Sequence, residues 1–146
     1  YAAVVKGQVT LDKQLIDAPL HRYELSNGER RVRVSKEGKE SKTQWNVAER
    51  FMHATLVYAS PLSGRTHQIR VHGLSIGHPL VGDEKYGHET EYRGPKPRRL
   101  CLHAMRLEIP GYPTIEAPLP EDMQSLVAQL RAQKADKVLT LGEDDE

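Results

Sequence analysis

Residues 63–87 read "SGRTHQIRVHGLSIGHPLVGDEKYG" and crowd two arginines, three histidines and five glycines into 25 positions. Three kinds of chemistry need cations, imidazoles and sharp turns so close together: a metal site, an acid–base site, or a surface that holds a polyanion. From Thr66 the chain takes on a helical period, with Ile69, His72, Gly73 and Ile76 at i, i+3, i+4 and i+7. Thr66 is placed to cap the start of that helix and Gly77 its end, and Pro79 blocks continuation.

A metal site fits poorly. His67 and His72 are five residues apart, so on a helix they point roughly 140° away from each other. Zinc-type pairs share one face at i, i+4 with a nearby acid, and that pattern is absent. A nucleophilic hydrolase fits no better. Cys101 lies in an apolar strand-like run, where a buried, inert thiol is expected, and Ser63 has no nucleophile elbow around it. The third reading is a wall facing a polyanion. His67 and Arg70 fall on one helix face with Leu74 a turn beyond, and Arg65 precedes the positive end of the helix. An amphipathic helix with solvated arginines explains the same residues, and the window alone leaves these two readings even.

Working outward, Tyr1 to Gly7 reads as a strand from its first residue, which carries the expectation that the chain is cut from something longer. Asn27-Gly28 before the alternating Arg31-Val32-Arg33-Val34 is a hairpin signal. Residues 43–47 and 54–58 read as paired strands, and 100–107 returns to strand character after a loop-rich stretch from 78 to 98. Met123, Leu126, Val127 and Leu130 share one face of a last helix, with Pro120-Glu121-Asp122 suited to its N-terminus. There is no internal repeat. The expected fold class is α+β, a mixed, mainly antiparallel sheet with few helices.

At 146 residues the chain allows one domain and one core. Its single cysteine excludes an intrachain disulfide and fits a reducing compartment. No apolar run reaches membrane-spanning length, which makes a cytoplasmic protein the default. The net charge of +1 hides an uneven layout: residues 1–120 hold 18 Lys and Arg against 13 Asp and Glu, while 121–146 hold seven acids against three bases. A moderately basic body suits a phosphate-rich partner, although composition by itself favours a solvated, mixed-charge surface.

The window closely resembles the signature of the RluA family of RNA pseudouridine synthases: Thr/Ser-Gly-Arg-Thr/Ser-His-Gln-Ile/Leu-Arg-Val-His, then Gly-His-Pro and Gly-Asp-x-x-Tyr-Gly. Four further segments resemble that family in order. They are Tyr1 to Gly7, Asp17-Ala18-Pro19-Leu20, Gly38-Lys39 through Thr43 and Val47, and Leu100-Cys101-Leu102-His103-Ala104. The resemblance implies isomerisation of uridine to pseudouridine in RNA, without a cofactor or a metal, by an aspartate whose charge an arginine sustains. On this chain it assigns catalytic roles to Arg70, as that arginine, and to Tyr1, packed on the uracil. It assigns RNA or substrate contacts to Arg65, His67 and Gln68, with structural bracing equally open for Gln68, and an apolar pocket wall to Leu102. Asp83 is expected to accept within its own loop, and Tyr86-Gly87 to be architectural.

One departure matters. The family's aspartate sits in His-Arg-Leu-Asp ahead of the Tyr-x-Ala strand, and this chain begins at that strand. His21-Arg22-Tyr23-Glu24 imitates the motif on a connecting segment and offers Glu. The expectation is a C-terminal portion of a synthase catalytic domain over residues 1–137, without its nucleophile and inactive alone, followed by a disordered acidic tail at 138–146. Arg70 is then expected to face a pocket with no acid in it. The connector around residues 18–34 leans toward the enzymes of large-subunit ribosomal RNA, with that RNA as partner to a monomer. A stand-alone, non-catalytic RNA-binding module is the alternative.

Overall fold

The apolar run Ala2 to Val5, closed by Lys6, forms β1 (Ala2–Lys6), and all five residues are buried. A strand apolar on both faces belongs in the middle of a sheet covered from both sides. The computed structural model, which describes residues 1–144 and their side chains as far as residue 135, places it so. The five-stranded sheet runs β2 (Lys13–Asp17), β5 (Lys42–Arg50), β6 (Ala54–Pro61), β1 and β7 (Leu102–His103), every neighbouring pair antiparallel. The α+β class expected from the sequence is therefore present.

Alternation along β1 sorts two cores. Ala2 and Val4 face one side, against Phe51, Ala54 and the last helix, α2 (Glu121–Asp144), which contributes Met123, Leu126, Val127 and Leu130. Ala3 and Val5 face the other side, against Trp45, Val57 and Ile69 of α1 (Gln68–Ser75). The four α2 residues expected to share a face are 0–3% exposed. Bidentate pairs of Arg131 with Glu49 and of Arg99 with Asp122 fasten α2 to the sheet and to the loop before β7.

The helix α1 is a short one with five of its eight residues buried, because it is wedged between the sheet and a second layer. That layer is the hairpin of β3 (Leu20–Glu24) and β4 (Arg30–Val34), turned at Asn27-Gly28 as the sequence predicts. Val71 packs there with Leu20, Val32 and Tyr86. Gly73 lets α1 approach the sheet, since a Cβ would lie 2.8 Å from the His78 carbonyl oxygen and 3.3 Å from the Trp45 ring.

Two expectations need correction. Thr66 does not cap α1: the N-cap is His67, in the left-handed region at φ 53°, with no side-chain cap. The loop before it is held instead by Gln68, whose Oε1 accepts from Ser63 Oγ and from the Arg65 amide. The end is as read, with Gly77 at φ 81° and with Gly77 and His78 amides donating to Leu74 and Gly73 carbonyls. Residues 100–107 do not form one strand. Leu102–His103 joins β1, then the chain turns and Arg106–Leu107, as β8, pairs with β9 (Ile115–Glu116). Strand β2 had no readable alternation, because on this sheet edge only Ile16 is buried. The backbone of the acidic tail is helical as far as Asp144, while its side chains and residues 145–146 lie outside the described residues.

Candidate active site

The start of β1, the loop from β6 into α1 and the chain entering β7 converge on a cavity of about 390 Å³, lined by Tyr1, Arg65, His67, Arg70, Leu100 and Leu102 among others. Tyr1, Arg70 and Leu102, which lie far apart in sequence, thus share one concavity, and among the described residues no carboxylate lines it. Tyr1 is 44% exposed and supplies an aromatic face. Leu102 packs against the core that holds Ala3 and Val5, which makes its wall rigid. Arg65 is exposed, its Nε and Nη2 resting on the Glu40 carbonyl at 3.2 Å, so its charge is open to a partner.

No acid is among the described residues that line the cavity, yet Arg70 has an acid partner outside that lining. Its Nε donates to Asp83 Oδ2 and its Nη2 to Asp83 Oδ1, both at 2.8 Å, and its guanidinium lies 5.0 Å from the centre of the Tyr86 ring. The Asp83 side chain is fully buried and also accepts from the amides of Lys85 and Tyr86, the loop role expected of it. Burial pushes the Asp83 pKa up. The Arg70 hydrogen bonds and the two amides outweigh that and hold it below the ordinary carboxylate value. A buried guanidinium needs a counter-charge, and the Gly82-Asp83 turn brings one from thirteen residues on. Gly82 sits at φ 85°, where a Cβ would also strike the Arg99 carbonyl oxygen at 2.5 Å.

The loop that carries Asp83 is tied to β1 by a residue the sequence did not single out. Lys6 Nζ donates to the carbonyls of Gly87 at 2.6 Å and Thr90 at 2.8 Å. Its only sequence signal is a lysine closing an apolar strand. Tyr86, read as architectural, is 8% exposed and connects three groups: it stacks under Arg70, its hydroxyl accepts from the Val32 amide, and that hydroxyl lies 2.7 Å from His67 Nδ1.

Gln68 is drawn inside, at 4% exposure, and its amide is fully satisfied by the protein. Nε2 donates to the Lys42 carbonyl and to Thr43 Oγ1, while Oε1 accepts from Ser63 and Arg65. The bracing role is the one this geometry supports, while Gln68 also borders the cavity. The chain of bonds continues inward. His72 Nε2 lies 2.9 Å from the Ala18 carbonyl oxygen, which only accepts, so the proton sits on Nε2. Nδ1 then accepts from Thr43 Oγ1 at 2.7 Å.

Glu24, the acid of the imitation motif, is 64% exposed, pairs with Arg30 on the β3–β4 hairpin and does not line the cavity. Cys101 is buried, and burial pushes its thiol up to about 12, as expected of an inert cysteine. Among the described residues no three His, Cys, Asp or Glu side chains gather in a metal-holding group, and no helix is long and apolar enough to cross a membrane.

Comparison with known proteins bears on this site. The RNA pseudouridylate synthase family model matches residues 1–75. The protein named ribosomal large subunit pseudouridine synthase C from Yersinia pestis is 45% identical over 139 residues, covering 90% of this chain and 43% of its own length. Its namesake from Escherichia coli strain K12 is 44% identical over 141 residues, covering 90% and 44%. The chain therefore spans less than half the length of these relatives. Among solved structures, human RNA pseudouridylate synthase domain containing 1 superposes with a TM-score of 0.65 at 28% identity, covering 90% of this chain and 64% of that one. Human RNA pseudouridylate synthase domain containing 4 has the same fold at a TM-score of 0.69 and 24% identity, covering 89% and 60%.

Proposed function

The chain belongs to the RNA pseudouridylate synthase family, and we propose that it is the part of such an enzyme that seats a uridine of large-subunit ribosomal RNA for isomerisation to pseudouridine. The observation that carries this is the meeting of Tyr1, Arg70 and Leu102 in one cavity that, among the described residues, no carboxylate lines. Isomerisation breaks the bond from ribose C1′ to N1 of uracil, turns the base and joins C1′ to C5, which gives up its proton while N1 gains one. Nothing enters or leaves overall, so the protein's task is to hold a detached base and to supply one ionised carboxylate. The aromatic face of Tyr1 and the wall of Leu102 suit a base taken out of its stack.

Arg70 is the cation for the carboxylate. Its Nε and Nη2 are held by Asp83, and among the described residues Nη1 takes no hydrogen bond. Asp83 is not among the residues that line the cavity and is committed to Arg70 and two amides, so in this reading the reacting aspartate is another residue of the whole enzyme. Arg65 and the basic surface near it then meet phosphates. In this reading the enzyme works in the cytoplasm as a monomer, without metal or cofactor.

The test is to map pseudouridine in large-subunit ribosomal RNA from cells lacking the gene that contains this sequence, then restore the whole gene or its Arg70→Lys form. Loss of one or a few pseudouridines, restored by the first and not the second, supports the reading. An unchanged map overturns it.

A further inference from the structure

His67 is the one non-glycine residue with positive φ among the described residues, at φ 53° and ψ 23°. Such a conformation is uncommon outside glycine, although histidine adopts it more readily than most residues, and surrounding contacts hold it. The contact here is the Tyr86 hydroxyl, 2.7 Å from His67 Nδ1, with the two rings edge to face at 5.5 Å between centroids. That hydroxyl has one proton, and it already accepts from the Val32 amide at 3.0 Å. The Val32 nitrogen can only donate, so among the described residues His67 Nδ1 is the one acceptor to which the phenol proton can go. A buried phenol proton left unpaired is costly, so the bond runs from Tyr86 to His67. The remaining ring nitrogen, Nε2, must then carry the hydrogen of a neutral imidazole. It has no partner among the described residues, and His67 lines the cavity of Tyr1, Arg70 and Leu102.

We infer that Tyr86 is a positioning residue that locks His67 as the Nε2–H tautomer, so that His67 presents a neutral hydrogen-bond donor to an oxygen of the nucleotide in the cavity. This rests on the reading that the cavity seats a nucleotide. Charge explains why a neutral donor is useful there. Arg70 on α1 and Lys85 on the following loop, opposed by Asp83, face His67, and Arg65 precedes it by two residues. Burial together with the two first-named cations lowers its pKa. A third cation is thereby avoided while a directed N–H remains.

The test uses the whole protein with ¹⁵N-labelled histidine. At neutral pH the His67 ring should show an unprotonated Nδ1 and a protonated Nε2. In Tyr86→Phe the ring should become a mixture of tautomers, and the acid limb of kcat/KM should move to higher pH. Because Tyr86→Phe can also disturb folding, two further variants separate the roles. The amide nitrogen of Gln falls near Nε2, and that of Asn near Nδ1, whereas Asn suits the left-handed backbone better. His67→Gln should retain about tenfold more kcat/KM than His67→Asn, the scale of one hydrogen bond, even though His67→Asn is at least as stable. A methylphosphonate at the target nucleotide removes that difference if the acceptor is a phosphate oxygen and leaves it if the acceptor is a base carbonyl. A Nδ1–H tautomer in the unsubstituted protein, or equal activity of the Gln and Asn variants, overturns the inference. If the whole protein makes no pseudouridine, the functional reading falls, and the nitrogen spectra still decide the tautomer.

Discussion

Arg70 and Asp83 are joined by two 2.8 Å hydrogen bonds between a guanidinium that is 17% exposed and a carboxylate that is fully buried. The pair joins α1 to the loop that follows it, and so sets the direction in which the arginine's remaining donor faces. Breaking one member of such a pair leaves a buried charge unmatched, which costs more than the pair itself contributes. The site's cation is therefore also a fold contact, and its two roles need separate measurements.

Asp83→Asn should destabilise the protein by about 3 kcal/mol, read as a lower denaturant midpoint. The pH dependence follows from the depressed pKa of Asp83. Its stabilising contribution is fully present above the ordinary value of 3.8 and is lost as pH falls through the lower folded value. Between pH 5 and pH 3, on the order of the window a carboxylate sets, the unsubstituted protein should lose stability more steeply than Asp83→Asn. Equal slopes would remove Asp83 as the group responsible.

Thr43→Val should cost about 1–3 kcal/mol, because it strands both His72 Nδ1 and one Gln68 donor in the interior. His72 is buried and its pKa is lowered, first by burial. The unfolded chain thus takes up a proton near 6.5 that the folded chain resists, and stability should fall as pH drops below that value toward the folded pKa. Urea midpoints at successive pH values check this, and a flat profile from pH 7 to pH 5, roughly the range histidine covers, speaks against it.

Arg70→Lys in the whole protein should cut kcat about 100-fold while RNA affinity changes little, since lysine gives neither the bidentate pair nor the stack over Tyr86. Arg65 behaves differently. Exposed and resting only on the Glu40 carbonyl, it tolerates lysine. Arg65→Ala should lower the slope of log affinity against log salt by about 1, the signature of one phosphate contact. Equal effects of the two positions on turnover and binding would refute the division of roles.

Residues 1–146 expressed alone should make no pseudouridine, because among the described residues no carboxylate lines the cavity. They should still bind RNA weakly and with marked salt dependence, through the basic body of residues 1–120. Turnover that Glu24→Gln abolishes would restore the imitation motif to a catalytic role; an affinity insensitive to salt would remove the polyanion surface.

The residues themselves determined what depends on local period and turn chemistry. The run from Tyr1 to Gly7 marked the strand β1, Asn27-Gly28 marked the hairpin, Gly77 marked the end of α1, and Met123 to Leu130 marked the buried face of α2. The family resemblance carried by residues 63–87 and by the strand at residues 1–7 went further and pointed to Arg70 and Tyr1, which the fold brings to one cavity with Leu102. Tertiary structure alone decided where Arg70's charge is answered, that Gln68 is a brace, that Thr66 yields the helix start to His67, and that Tyr86 meets His67 and Arg70 together. The physical reason is the same in each case. A period or a turn is a property of neighbouring residues, whereas a hydrogen-bond partner is chosen by burial: once α1 is wedged between sheet and hairpin, each polar group inside must find its complement among whatever the returning chain delivers, and no local pattern records that choice.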